Sequence, residues 1–380
     1  MRKILIVSTI VMIALSCTVN LLAQETYEAP EAITHIKNQI NVSVRPQIEL
    51  ISIIQTISDY PLSHGLLMSK DTFEYKTDVI HYFSKYKGHQ VVKMFDRLSS
   101  RPEILNYNIP SLLMHHTDNG LHLKEDIIID SSVITRAGGK DSLVVFLNLL
   151  RDFAIQSSFN KFFNEHKDFY STIIERTVDN LGDYNYIYEI EDFYGKSQRS
   201  YSIILVPLYN FVGYGNSLLY PDGKRDLFNT MGPQKVENNI PFFGDENHLK
   251  YVIRHEFSHS FINPLTEKYW DYIKPYSSNF VSIPDTIRNK YYSDWQQCIN
   301  EFVIRSITTN IAYNESNEMG TWAYRKEQPR GVSYIDSVLN KIKYYQSNRI
   351  TYPTLEAYYY KLLDTFKEEY QIPNAETHNK

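Results

Sequence analysis

Two histidines four residues apart, His255 and His259, lie in a segment whose apolar residues recur every three or four positions. The apolar residues of this segment are Leu249, Val252, Ile253, Phe257 and Phe261. This spacing predicts an amphipathic helix that begins after the N-cap Asp245 and ends at Asn263-Pro264. Because residues four apart share one face of a helix, the two imidazoles should lie one turn apart on the same side.

The pattern His-Glu-x-x-His is typical of a zinc site. Both imidazoles can reach one ion, and Zn²⁺ favours neutral histidine nitrogen. Glu256 lies beside His255, where its carboxylate can take a proton from water without binding the ion. The competing interpretation is a pair of unrelated histidines at the surface or in the core. The capped amphipathic helix around the motif favours the zinc site.

A catalytic zinc needs a third protein ligand and one open position. The only histidine after His259 is His378, in a polar tail, so we expect a carboxylate. Glu301 is the best candidate because it lies between Ile299 and Phe302 in a predicted helix, where an unpaired charge is costly. The alternative is an exposed glutamate on a solvated helix face. Turns or helix starts explain the weaker candidates, which are Glu267, Asp271, Asp285 and Asp294.

The set His255, Glu256, His259 and Glu301 resembles the gluzincin clan of zinc metallopeptidases. The resemblance implies a zincin-like catalytic domain in which a strand at the edge of the sheet lines the cleft and binds extended peptide. Residues 211–215 are the candidate for that strand, because their glycines permit close backbone approach. One residue departs from the clan: its best-known members carry an acidic residue four positions after the ligand glutamate, where this chain has Arg305.

The extended metzincin pattern is not met, because Ile262 and Leu265 occupy the positions of its glycine and third histidine. Residues 255–261 with the following Asn263-Pro264, together with residues 46–50, resemble an exported bacterial zincin-like family of unknown function. That resemblance covers most of the chain after residue 23 and implies no substrate.

Residues 1–23 have the features of a signal peptide. Arg2 and Lys3 precede an apolar run, residues 4–15, and Ala23 satisfies the small-residue requirement for cleavage. We therefore expect export to the periplasm or the outside of the cell, with lipid attachment at Cys17 as the alternative. No later stretch is apolar for long enough to cross a membrane. Cys298 is then the only cysteine left, and we expect a packed, inert thiol.

The rest of the chain predicts an α+β protein, mainly α, with a small sheet packed on the helix that carries His255. We expect an N-terminal helical lobe at residues 24–139, with 24–40 mobile, and a zincin-like catalytic region at 140–380 after Gly138-Gly139. Strands are predicted at 201–208 and 210–215, followed by a long loop at 216–244. Further helices are predicted at 48–57, 71–85, 89–98, 293–312, 334–345 and 355–370, with two more between 142 and 181.

A formal net charge of -5 over 380 residues, with no basic block, argues against a nucleic-acid partner. We expect a peptide or protein substrate for a zinc-dependent hydrolase, and the sequence assigns no oligomeric state. The alternative is a catalytically inactive, exported zincin-like protein that binds peptides or glycans, and a non-peptide amide is a third possibility. The donor that stabilises the oxyanion stays open among Tyr214, Tyr269, Tyr272, Tyr276 and Arg305.

Overall fold

The computed structural model describes residues 27–60, 67–100, 113–210, 213–330 and 333–368. The predicted signal peptide, with Cys17 and the cleavage point after Ala23, lies outside the described residues, as do Phe211, Val212 and His378. Within these ranges, no helix combines the length and the apolar character that crossing a membrane requires.

The fold is α+β and mainly helical, as the sequence predicts. The α-helices of the described residues are, in chain order, α1 (Pro46–Ile57), α2 (Glu74–Phe83), α3 (Gln90–Ser99), α4 (Ser131–Arg136), α5 (Lys140–Gln156), α6 (Phe159–Glu165), α7 (Lys167–Asn180), α8 (Tyr186–Tyr194), α9 (Glu246–Lys268), α10 (Trp270–Ile273), α11 (Asp285–Tyr291), α12 (Trp295–Glu315), α13 (Asn317–Glu327), α14 (Ser333–Ser347) and α15 (Leu355–Leu363).

One five-stranded sheet supports these helices. Its strands are β1 (Ile33–Lys37), β2 (Ile40–Val44), β3 (Ser200–Leu205), β4 (Gly213–Leu219) and β5 (Arg225–Met231), and their spatial order is β1-β2-β3-β5-β4. The β2–β3 and β3–β5 pairs are parallel, whereas β1–β2 and β4–β5 are antiparallel. Among the described residues β4 is therefore an edge strand. A separate hairpin consists of β6 (Lys235–Glu237) and β7 (Ile240–Phe242).

Two predictions for the sheet region were wrong. Residues 24–40 were expected to be mobile, but β1 and the start of β2 form a hairpin there, with Asn38 and Gln39 at φ 49° and 67° in the two-residue turn. Residues 216–244 were expected to be a loop, but they contain most of β4 and all of β5. The sequence of β5 hides it, because its buried residues include the polar Asn229 and Thr230.

Helix α9 begins as predicted, since the Asp245 side chain accepts a hydrogen bond from the backbone N–H of His248 at 2.9 Å. The predicted end at Asn263-Pro264 is wrong, because the helix continues through Pro264 to Lys268. Packing explains the extension: Leu265 and Thr266 beyond the proline are buried. Burial of those side chains offsets the backbone hydrogen bond that proline removes.

The main hydrophobic core is continuous from Tyr27 to Phe366 and so draws on both of the lobes predicted from the sequence. Gly138 and Gly139, at φ 84° and 94°, connect α4 to α5. The division of the chain at this point stays a prediction. Cys298 lies in α12 with no exposed area, and burial raises the pKa of its thiol well above the usual value.

Candidate metal centre

Helix α9 brings the two motif histidines together. The ring centroids of His255 and His259 are 5.1 Å apart, and the rings are almost perpendicular, at 82°. The second nitrogen of His259, Nδ1, lies 3.3 Å from the Asn263 side-chain oxygen one turn further along. Tyr251, one turn before His255, stacks on the His255 ring at a centroid distance of 6.0 Å. Neighbours on the helix thus restrict the orientation of both imidazoles.

A buried ion-pair network fixes the position of α9. Arg254, next to His255, is 1% exposed and donates to Glu189 of α8 at 2.9 Å and to Glu315 of α12 at 2.7 Å. Lys250 also pairs with Glu315, at 2.7 Å. Because removal of one partner would leave buried charge unpaired, the network resists sliding of α9 against its neighbours.

The third predicted ligand, Glu301, reaches the same point from α12. Its two carboxylate oxygens lie 3.6 Å from Nε2 of His255 and 3.6 Å from Nε2 of His259. One ligand atom from each of the three residues falls within 4.8 Å of the other two. Ligands about 2.0–2.2 Å from a tetrahedral ion lie roughly 3.4 Å from one another, so this donor set fits zinc.

Glu301 is buried, which is contrary to the alternative of an exposed glutamate. Arg305, one turn later in α12, holds it with a guanidinium nitrogen 2.6 Å from its carboxylate. Arg305 also pairs with the fully buried Glu327 of α13 at 3.1 Å and donates to the Tyr292 hydroxyl at 2.7 Å. The residue that departs from the gluzincin pattern is therefore the one that orients Glu301, the candidate third ligand.

The charges around the cluster set the protonation of its members. Burial lowers the pKa of His255 to about 3, against the opposing effect of Glu301, so the imidazole stays neutral. Burial alone would raise the pKa of Glu301, but Arg305 and the two histidines outweigh it and lower that pKa to about 2. Neutral imidazole and ionised carboxylate are the forms that bind a metal ion.

Glu256 lies beside the cluster without joining it. One of its carboxylate oxygens is 4.0 Å from Nε2 of His259, and the backbone N–H of Gly215 in β4 donates a hydrogen bond to the carboxylate. Burial raises the pKa of Glu256 to about 7 in spite of these contacts. A carboxyl group with that pKa can both accept and release a proton near neutral pH.

Strand β4 passes very close to α9, and two glycines permit the approach. A Cβ atom added at Gly213 would lie 2.7 Å from the Glu256 carboxylate, and one at Gly215 would lie 2.1 Å from the Glu256 carbonyl oxygen. Residues 213–215 of the predicted cleft strand thus belong to the sheet edge beside the cluster, whereas Phe211 and Val212 lie outside the described residues.

The cluster opens into a polar cleft of about 570 Å³. Strand β4 contributes Gly213, Tyr214 and Gly215 to its wall, and α12 contributes Asn300, Glu301 and Arg305. Of the candidate oxyanion donors, Tyr214 and Arg305 line this cleft, whereas Tyr272 donates to Asp364 at the molecular surface. Of the weaker ligand candidates, Asp294 also lines the cleft, where it caps α12 by accepting from the Gln297 N–H at 2.8 Å.

Sequence reasoning missed two supporting residues. Arg254 is a charged residue in a buried stretch, immediately before His255. Its position beside the motif is the feature from which the sequence could have indicated a supporting role. Glu327 carries no motif, and only the packing of α13 on α12 brings it to Arg305. Both act on the cluster through contacts between different helices.

Fold and site together define a mainly helical α+β protein with a His-His-Glu cluster beside the further buried carboxyl group of Glu256. The chain belongs to the family described as Domain of unknown function (DUF4932), whose model matches residues 40–365. No curated protein and no solved structure matches the chain.

Proposed function

We propose that this protein is an exported zinc-dependent hydrolase that cleaves peptide bonds. The observation that carries the proposal is the convergence of His255, His259 and Glu301, with ligand atoms within 4.8 Å of one another, next to Glu256. The gluzincin resemblance and the predicted signal peptide support the same interpretation.

The donor set of two imidazole nitrogens and one carboxylate suits zinc and leaves room for a further ligand. Bound there, Zn²⁺ would supply Lewis acidity, which polarises a carbonyl group and increases the acidity of water. His255, His259 and Glu301 would hold it, and Arg305 would keep the carboxylate of Glu301 in place.

Glu256 performs the proton transfers in this proposal. Its carboxylate accepts a proton from a water molecule in the cleft as the water attacks the peptide carbonyl carbon. The protonated side chain then donates to the amine nitrogen as the carbon–nitrogen bond breaks. A pKa of about 7 suits a group that must act first as a base and then as an acid.

In this proposal the edge of β4 beside the metal centre supplies a place for the substrate main chain. Backbone groups of an edge strand that do not pair with the neighbouring strand can pair with an extended peptide. Among the described residues, Leu219 at the far end of β4 pairs with Ile128, whereas residues 213–215 at the other end lie beside Glu256. A peptide added there would pass directly over Glu256.

Metal content tests the ligand set. Purified protein should hold about one equivalent of zinc, and His255→Ala, His259→Ala and Glu301→Ala should each lose most of it. His81→Ala is the matched control, because His81 is exposed on α2. Zinc retained in all three ligand variants would refute the proposed centre.

Turnover tests the role of Glu256. Glu256→Gln should keep its zinc and lose peptide hydrolysis by a factor of about 10²–10⁴, which is the range for a general acid–base group. Glu267→Gln, at an exposed position of the same helix, should behave as the wild type. Peptide binding that is insensitive to chelator, with no cleavage by the wild type, would instead favour the inactive binding protein.

A further inference from the structure

A second cavity lies against the metal centre, on the side of α13. Its volume is about 230 Å³, far above the roughly 15 Å³ that one water molecule needs. It shares lining residues with the main cleft, namely Gly213, His255, Glu256 and Arg305. The two cavities therefore adjoin at the reacting groups.

The second cavity is lined by three cations, which are Arg305, Lys326 and Arg330. Arg305 and Arg330 both pair with Glu327, at 3.1 and 3.2 Å. Lys326 has no such partner: in the described part of the chain no ion pair joins it to a carboxylate, and Asp245 acts on it only from a greater distance. Glu256 is the acidic residue among the described lining residues.

Lys326 is held in place by aromatic rings instead. Its ammonium nitrogen lies 4.6 Å from the ring centroid of Tyr251 and 4.3 Å from that of Trp322. Such contacts attract a cation without neutralising it. The side chain is therefore positioned at the cavity with its charge still available for a ligand.

This arrangement is unfavourable without an anion. Burial and the nearby Arg330 both lower the pKa of Lys326, which means that the charged form is penalised in this position. A negatively charged group in the cavity would reduce the penalty, since it would interact with both Lys326 and Arg330. Lysine and arginine are the side chains that bind carboxylates, arginine through paired donors and lysine as a point charge.

We propose that this cavity binds a carboxylate of the substrate, so that the substrate class is peptides with an acidic group close to the cleaved bond. The inference rests on the proposed hydrolase function. The carboxylate has two possible sources, an Asp or Glu side chain and the free C-terminus of the peptide. Both present the same chemistry to Lys326 and Arg330.

Binding is measured first, on metal-free protein, so that it does not depend on catalysis. Glutarate and the neutral glutaramide are titrated while the emission of Trp322 is followed, with Trp322→Phe identifying its signal among the three tryptophans. Glutarate should bind at least ten-fold more tightly than glutaramide. Lys326→Met should abolish the difference and Lys326→Arg should keep it. Lys343→Met, which removes an exposed lysine of α14, should also keep it.

Equal binding of the two probes, or a preference that survives Lys326→Met, would overturn the inference even if the protein is an active peptidase. Conversely, a preference for glutarate that depends on Lys326 supports carboxylate binding in the cavity, even if the protein cleaves no peptide. The two proposals can therefore fail separately.

Cleavage then distinguishes the two sources of the carboxylate. The zinc-loaded enzyme is given four peptides of one sequence, with Glu or Gln near the cleaved bond and with a free or amidated C-terminus. A drop in kcat/KM of at least ten-fold on Glu-to-Gln exchange assigns a side-chain carboxylate, and the same drop on amidation assigns the C-terminus. Equal kcat/KM for all four peptides in an active enzyme contradicts the inference.

Discussion

The close contact between β4 and α9 predicts a large effect of one methyl group, in the variant Gly215→Ala. The added Cβ atom would lie 2.1 Å from the carbonyl oxygen of Glu256 and 3.0 Å from Cβ of His259. The nearer atom belongs to the backbone, so no side-chain rotation relieves the overlap, and the strand must move away by about 1 Å. Overpacking of this kind costs about 1–3 kcal/mol, and we expect the upper part of that range.

The same shift would break the hydrogen bond from the Gly215 N–H to Glu256. A displacement of about 1 Å at a reacting group can reduce turnover about 10²-fold. Gly215→Ala should therefore lose both stability and the proposed peptide hydrolysis, whereas the proposed zinc content should change little because His255, His259 and Glu301 are all on helices.

Urea unfolding of the metal-free protein measures the first effect, and turnover with zinc measures the second. Gly88→Ala is the matched control, because nothing lies within 4 Å of a Cβ at that position, and it should be neutral or slightly stabilising. If Gly215→Ala were as stable and as active as the Gly88→Ala variant, the argument from the strand-to-helix contact would be refuted.

Two further variants test buried charges. Arg305→Met leaves the buried Glu301 carboxylate without its guanidinium partner and leaves Glu327 with Arg330 alone. It should lower the free energy of unfolding of the metal-free protein by about 3–5 kcal/mol, against almost no change for the exposed Arg325→Met. A loss below about 1 kcal/mol would contradict the network. Glu49 of α1 is buried, and burial raises its pKa from 4.5 to about 7, despite hydrogen bonds from Tyr75 and Ser52. The folded protein therefore binds this proton more tightly, so the contribution of Glu49 to stability is greatest below pH 4.5 and falls by up to about 3 kcal/mol as pH rises through 7. The free energy of unfolding of the wild type, relative to that of Glu49→Gln, should therefore decrease between pH 4.5 and pH 7. If the difference between the two proteins did not change with pH, Glu49 would not titrate in that range.

Sequence patterns predicted the parts of the site that depend on local chemistry. The four-residue spacing of His255 and His259 determines their common face on any helix, and Asp245 caps α9 as expected. Glu301 was predicted from the cost of an unpaired charge among apolar neighbours, and the structure places it 3.6 Å from each histidine. These inferences needed no knowledge of the tertiary fold.

The missed features depend on tertiary packing. Strand β5 has no β-branched run or strict alternation, and it is a strand because β3 and β4 pair with its two sides. Helix α9 passes Pro264 because buried neighbours compensate for a lost backbone bond. Likewise, the cavity at Lys326 exists only because α13 packs beside α9. No local pattern contains that information.

The parallel pairing of β2 with β3 has a consequence for the order in which the molecule is completed. Val42 pairs with Ile203, roughly 160 positions later, and contacts of such long range form slowly because a large loop must close first. Glu301 is synthesised later still, on a helix that docks against α9. On a chain that is still being synthesised, His255, Glu256 and His259 therefore precede the candidate third ligand Glu301, and the cluster of His255, His259 and Glu301 cannot form until α12 has folded against α9.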